Sequence, residues 1–150
     1  MTGRKAGPKM QEPGIPESVR DLVKVLRAIL TISSRDEKLL KRATSITIQY
    51  ELLEGEGVYP YYCRSDGAHW ELAPGSLPDE ECDIIVRTFA EDLTEILQGG
   101  LSGREAIASG KMSLRKAPSM PMLLVMRAMY NRYAKAQTVG RLSPGAQGKP

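Results

Sequence analysis

Histidine is almost missing from this chain of 150 residues, in which His69 is the only one. Cysteine is nearly as rare, with Cys63 and Cys82 alone. One histidine and two cysteines do not readily build a four-ligand structural zinc site, so no metal centre is expected. Two cysteines are also too few for a disulfide framework, and they point to a reducing, cytoplasmic setting. No apolar run approaches the roughly 18 residues that suggest a membrane span. Basic residues near the start (Arg4, Lys5, Lys9) are followed by no apolar stretch, so a secretory signal is not expected. The chain also lacks a phosphate loop, a dinucleotide fingerprint, a paired metal-carboxylate motif and a G-x-S-x-G elbow. No cofactor is expected.

What remains has ordinary globular proportions, with 41% hydrophobic and 26% charged residues. The length favours one domain, which at this size buries about 70% of its unfolded surface. The net charge of +3 is small, and much of the basic excess sits near the ends, at Arg4, Lys5 and Lys9 and at Arg127, Arg132, Lys135, Arg141 and Lys149. Nucleic-acid binders instead interleave a basic stripe with aromatics, so nucleic acid is not an expected partner. The charge is compatible with transient contact at an anionic membrane surface. Glycine and proline dominate Met1 to Pro16 and recur from Gly140 to Pro150. This composition predicts a disordered lead-in over 1–16, a single domain over 17–137 and a disordered tail over 138–150.

Inside that domain the apolar spacing changes period several times. Val19, Leu22, Val23, Leu26, Ile29 and Leu30 recur as on one face of a helix capped near Pro16 to Ser18. Ser34 and Glu37 have the spacing of a capping box for a short second helix to Ala43. Ile46, Ile48, Tyr50 and Leu52 then alternate with polar residues, which predicts a strand with one buried face. A second strand spans Val58 to Arg64, where Pro60 places it at a sheet edge or a bulge. Ser65-Asp66-Gly67 turns into a third strand, His69 to Ala73, and a fourth spans Cys82 to Arg87. Thr88 and Glu91, and then Ser102 and Glu105, have capping-box spacing for two further helices, the first ending at Gly99-Gly100. A fifth strand, Met112 to Lys116, precedes a last helix from Ser119 to Ala136. The order predicts an α+β fold: a five-stranded, mostly antiparallel sheet packed against helices.

The stretch Cys82 to Ala117 resembles the C-terminal half of the sterol carrier protein type 2 domain family. The matching features are the strand Asp83 to Val86, the helix Thr88 to Leu97, Gly99, Ala106, Gly110-Lys111 and the strand Met112 to Leu114. The meander Ile46 to Ala73 and the two opening helices fit the same family, so the resemblance runs from Val19 to about Tyr133. The chain departs from the pattern at Ala117-Pro118-Ser119-Met120-Pro121, and it ends Gly-Lys-Pro rather than in a peroxisomal tripeptide. The resemblance implies helices and sheet enclosing an apolar tunnel that takes fatty acyl chains, acyl-CoA, sterols or phospholipids without a cofactor. Bacterial members also serve biosynthetic pathways, so a polyketide or terpenoid intermediate belongs among the expected ligands.

On that implication, the expected ligand-binding residues are Ile48, Tyr50, Tyr61, Trp70, Ile84, Val86, Phe89, Leu93, Leu97, Met112, Leu114, Met122, Leu123, Met126 and Met129. Most of the seven methionines fall between Met112 and Met129. Methionine is flexible and suits surfaces that accept several ligands, yet the same stripe also reads as ordinary core. Tyr50, Tyr59, Tyr61 and Tyr62 either pack in strands or offer hydroxyls to a ligand. Tyr50, Tyr61, His69 or Arg127 are candidates to orient a polar head. His69 can also face Cys63 across the hairpin, or be a plain exposed residue. Three functions fit: an apolar-ligand carrier with no catalytic residue, a cofactor-free cyclase or isomerase using the same cavity, and an adaptor binding through the Met-rich helix.

Overall fold

The computed structural model describes residues 14–43 and 45–142, and of 138–142 the backbone only. Helix α1, Glu17–Ser33, begins at Pro16 and buries Val19, Leu22, Val23, Leu26 and Ile29 as one stripe. Its last turn uses Ser34, whose hydroxyl donates to the Leu30 carbonyl at 2.8 Å. Ser34 therefore does not cap the next helix. Asp36 does so, accepting from the Leu39 amide at 3.1 Å, and α2 runs Glu37–Arg42. The carboxylate two residues later meets an amide that the serine, already committed to α1, does not reach.

The sheet has the order β3-β2-β1-β4-β5, with β1 Thr47–Glu54, β2 Gly57–Ser65, β3 Trp70–Pro74, β4 Ile84–Phe89 and β5 Met112–Lys116. The β1–β2, β2–β3 and β4–β5 ladders are antiparallel, while β1 and β4 pair in parallel at the centre. Central strands of a parallel pair are covered on both faces, and here Gln49 and Ile85, register partners on the outer face, are both buried. The expected single buried face of β1 thus becomes two. The Gln49 side chain donates to the carbonyls of Tyr61 and Gly75 at 3.0 Å and accepts from the Leu77 amide at 2.8 Å. It pins the β3–β4 connection across that face.

β2 is interior rather than an edge. Pro60 is tolerated because its carbonyl accepts from Gly75, which places its missing N–H on the β3 side. There the β3 ladder has already ended, at Tyr61 opposite Pro74.

Helix α3, Ala90–Leu97, starts one residue after β4 and has no side-chain cap. Thr88 still belongs to the strand, and its buried hydroxyl donates to the Lys111 carbonyl at 2.9 Å, so it is not the expected cap. Helix α4, Gly103–Ala108, has the Ser102–Glu105 capping box with both hydrogen bonds present. Helix α5, Met120–Leu142, runs beyond Ala136 and covers 138–142 of the segment expected as tail. The remainder of that segment, 143–150, and nearly all of the lead-in lie outside the described residues. Helices α1, α3 and α5 contribute to one core against the inner sheet face, where Ile48, Tyr50, Leu52, Ile84 and Val86 project. An ion pair from Arg132 to Asp36 ties α5 to the cap of α2. Among the described residues, no helix is long and apolar enough to cross a membrane.

Candidate functional site

The inner face is not uniformly packed. A cavity of about 10 Å³ lies between α1, α5 and the β1–β2–β3 half of the sheet. That is about the space one water molecule needs. Both helices present the same spacing to it: Leu26, Ile29 and Leu30 from α1, and Met126, Met129 and Tyr130 from α5. Residues at i, i+3 and i+4 share a helix face, so two such triplets form opposing walls. The sheet supplies one row across three strands, because Ile48 pairs with Cys63 and Cys63 with Leu72, and Tyr50 lies two residues along from Ile48.

Burial grades the lining. Leu26, Ile29, Ile48, Tyr50, Cys63 and Met129 are buried and form the floor. Leu30, Leu72 and Met126 are half-buried and form a mouth beside the edge strand β3, while Tyr130, also half-buried, reaches from that mouth to Tyr50 on the floor.

The floor carries one polar group of residues. The side chain of Tyr50 neighbours those of Tyr130 and Cys63 in this lining, which brings two hydroxyls and one thiol together. Burial raises the Tyr50 hydroxyl well above the usual tyrosine value, and neighbouring Tyr130 and Cys63 add to this. Burial likewise pushes Tyr130 up to about 12 and Cys63 up to about 12. All three stay protonated and neutral through the ordinary pH range. The other lining residues are apolar.

Of the residues expected in the site, Ile48, Tyr50, Met126 and Met129 line the cavity. Tyr61, Ile84, Val86, Leu93 and Leu97 are buried in the surrounding core, and Trp70, Met112, Leu114 and Met122 pack partly against it. Leu123 is half-buried and does not belong to that core cluster. Phe89 is 44% exposed. Strand parity is the reason: Ile84, Val86 and Thr88 point inward, so Phe89 points to the outer face. No residue of β4, β5 or α3 borders the cavity.

Among the head-orienting candidates Tyr50 alone borders the cavity. Tyr61 is buried outside its lining, and Arg127 is exposed on α5. The side chain of His69 is 70% exposed and lies 3.6 Å from Asp66 in the hairpin loop. Cys63 faces Leu72 instead of His69. Sequence reasoning missed Leu26, Ile29, Leu30, Cys63, Leu72 and Tyr130. Tyr130 follows Met126 by one helical turn and was open to detection on that stripe. Cys63 required the register of the first hairpin. Among the described residues, no three His, Cys, Asp or Glu side chains are grouped to hold a metal ion.

No family model matches the sequence, and no curated protein matches it. Solved structures do. The sterol carrier protein domain 2 of Helicoverpa armigera superposes with a TM-score of 0.64 at 14% identity, covering 81% of this chain and 94% of that one. Sterol carrier protein 2 from Yarrowia lipolytica, in its apo form, gives 0.57 at 14% identity over 82% of this chain and 96% of that one. The ubiquinone synthesis protein UbiJ-SCP2 gives 0.56 at 12% identity over 79% of this chain and 99% of that one. The chain therefore has the sterol carrier protein 2 fold.

Proposed function

We propose that this protein is a carrier that takes up a small apolar ligand through the mouth between α1, β3 and α5. The observation that carries the reading is the apolar cavity on the inner sheet face, walled by one triplet from each helix. Its present volume of about 10 Å³ holds no alkyl chain, so uptake requires the mouth between α1, β3 and α5 to widen. Methionines at 126 and 129 suit this, since an unbranched thioether side chain repacks around different shapes. Burying a few hundred Å² of ligand surface at about 25 cal/mol per Å² supplies several kcal/mol before ordering costs. The candidate ligands are fatty acyl, sterol-like, polyketide or terpenoid molecules.

A cofactor-free enzyme using the same cavity is the second reading. Tyr50 and Tyr130, held protonated by burial, would serve it as hydrogen-bond donors or general acids rather than as bases. Native mass spectrometry of the protein purified from its source separates the two. Co-purification with an unaltered lipid supports the carrier. Conversion of a bound compound during incubation supports the enzyme, and failure to bind any apolar compound refutes both.

A further inference from the structure

The Tyr50, Tyr130 and Cys63 cluster makes a statement about the ligand that the apolar walls do not. Two O–H groups and one S–H group line the cavity together, and each can donate a hydrogen and accept one. The floor of the cavity can therefore both give a hydrogen bond to a guest and accept one. It offers no positive charge to an anion. From α1, β1, β2, β3 and α5, the titratable side chains lining the cavity are these three, and no charged residue joins them.

We infer that the cavity selects ligands with an uncharged hydrogen-bonding end, a hydroxyl or a carbonyl oxygen, which enters first and docks on Tyr50, Tyr130 and Cys63. This rests on the carrier reading and narrows it. A carboxylate brought to the same floor loses its hydration and finds no cation, and burial of an unpaired charge costs far more than burial of a neutral group that is hydrogen-bonded. A free fatty acid would bind only as its protonated form, or with its head left at the mouth.

The test uses two probes of equal chain length, 1-dodecanol and dodecanoate. Trp70 serves as reporter: it is the only tryptophan, it packs partly against the core, and it shares the inner face of β3 with Leu72 of the mouth. At pH 8 we expect dodecanol to bind at least about tenfold more tightly than dodecanoate. Lowering the pH to about 5, towards the usual carboxyl pKa of about 4–5, should strengthen dodecanoate binding and leave dodecanol unchanged. Tyr130→Phe should weaken dodecanol severalfold and leave dodecanoate at pH 8 unaffected.

Equal or tighter binding of dodecanoate at pH 8, with no change on lowering the pH, overturns the inference while the carrier reading stands. Binding of neither probe overturns the carrier reading and this inference with it. If Tyr130→Phe does not fold, the two probes and their pH dependence on the unaltered protein still decide.

Discussion

Replacing a methionine by tryptophan at two neighbouring cavity positions separates a mouth from a floor. Met129 is 3% exposed, and the cavity beside it measures about 10 Å³. An indole in place of a thioether chain there has no free volume to use, so neighbouring side chains must shift. Overpacking of this kind costs about 1–3 kcal/mol. For a chain of this size about 2–4 °C of melting temperature accompanies each kcal/mol, so Met129→Trp should lower Tm by about 2–12 °C. Met126 is half-buried beside Leu30, Leu72 and Tyr130, so its indole can turn outward and lie across the opening. Met126→Trp should therefore shift Tm by less than about 2 °C and still slow or abolish uptake of a fluorescent fatty-acyl probe. Thermal unfolding by circular dichroism and stopped-flow uptake with the extrinsic probe measure the two effects separately. The reasoning fails if Met126→Trp is as destabilising as Met129→Trp, because position 126 would then be core. It fails equally if a folded Met126→Trp takes up the probe at the normal rate, because the mouth would lie elsewhere.

Three further perturbations follow from the same contacts. Gln49→Leu takes one hydrogen-bond partner from each of Tyr61, Gly75 and Leu77 and should cost about 2–4 kcal/mol. Hydrogen exchange should show the 75–83 connection opening first, and a uniform loss of protection would refute the pinning role. Asp36→Ala deletes the α2 cap and the Arg132 partner and should lower the denaturation midpoint, with denaturant titration as the check. The pH profile of stability should have two shoulders. The Asp36 carboxyl is lowered mainly by the Leu39 amide, and Glu51 mainly by Arg115, so both add stability above the unfolded carboxyl values of about 4 that is lost as pH falls further. Tyr50, Tyr130 and Cys63 are raised by burial, so their contribution is complete below the unfolded thiol and phenol values of about 8.5–10 and is lost as pH rises beyond them. Urea titrations between pH 3 and pH 11 should show a plateau between the shoulders, and an unchanged midpoint at pH 10 would contradict the neutral cluster.

The amino-acid sequence by itself determined what depends on near neighbours along the chain. The α1 stripe from Val19 to Ile29 is legible because 3.6-residue spacing is a local property, and so is the Ser102–Glu105 box that opens α4. The alternation in β1 and the turn residues around β2 and β3 were enough to place the strands within a few residues. Competition between local partners was less legible. Ser34 and Thr88 both have cap spacing, but one closes α1 and the other is spent on the Lys111 carbonyl. Only tertiary structure decided the rest. The parallel pairing of β1 with β4 buried Gln49 and Ile85 on a face that looked outward, and the parity of β4 turned Phe89 away from the interior. Where the cavity lies followed from which apolar faces close fully and which do not. Leu93 and Leu97 are buried in the core away from the cavity, whereas Leu26 and Met129 line it. That difference is set by shape complementarity between elements distant in sequence, which hydrophobic pattern does not encode. The contact of Tyr50 with Tyr130 belongs to the same class: each residue is ordinary on its own element, and only the packing of α5 against β1 and β2 makes them the polar floor of an apolar site.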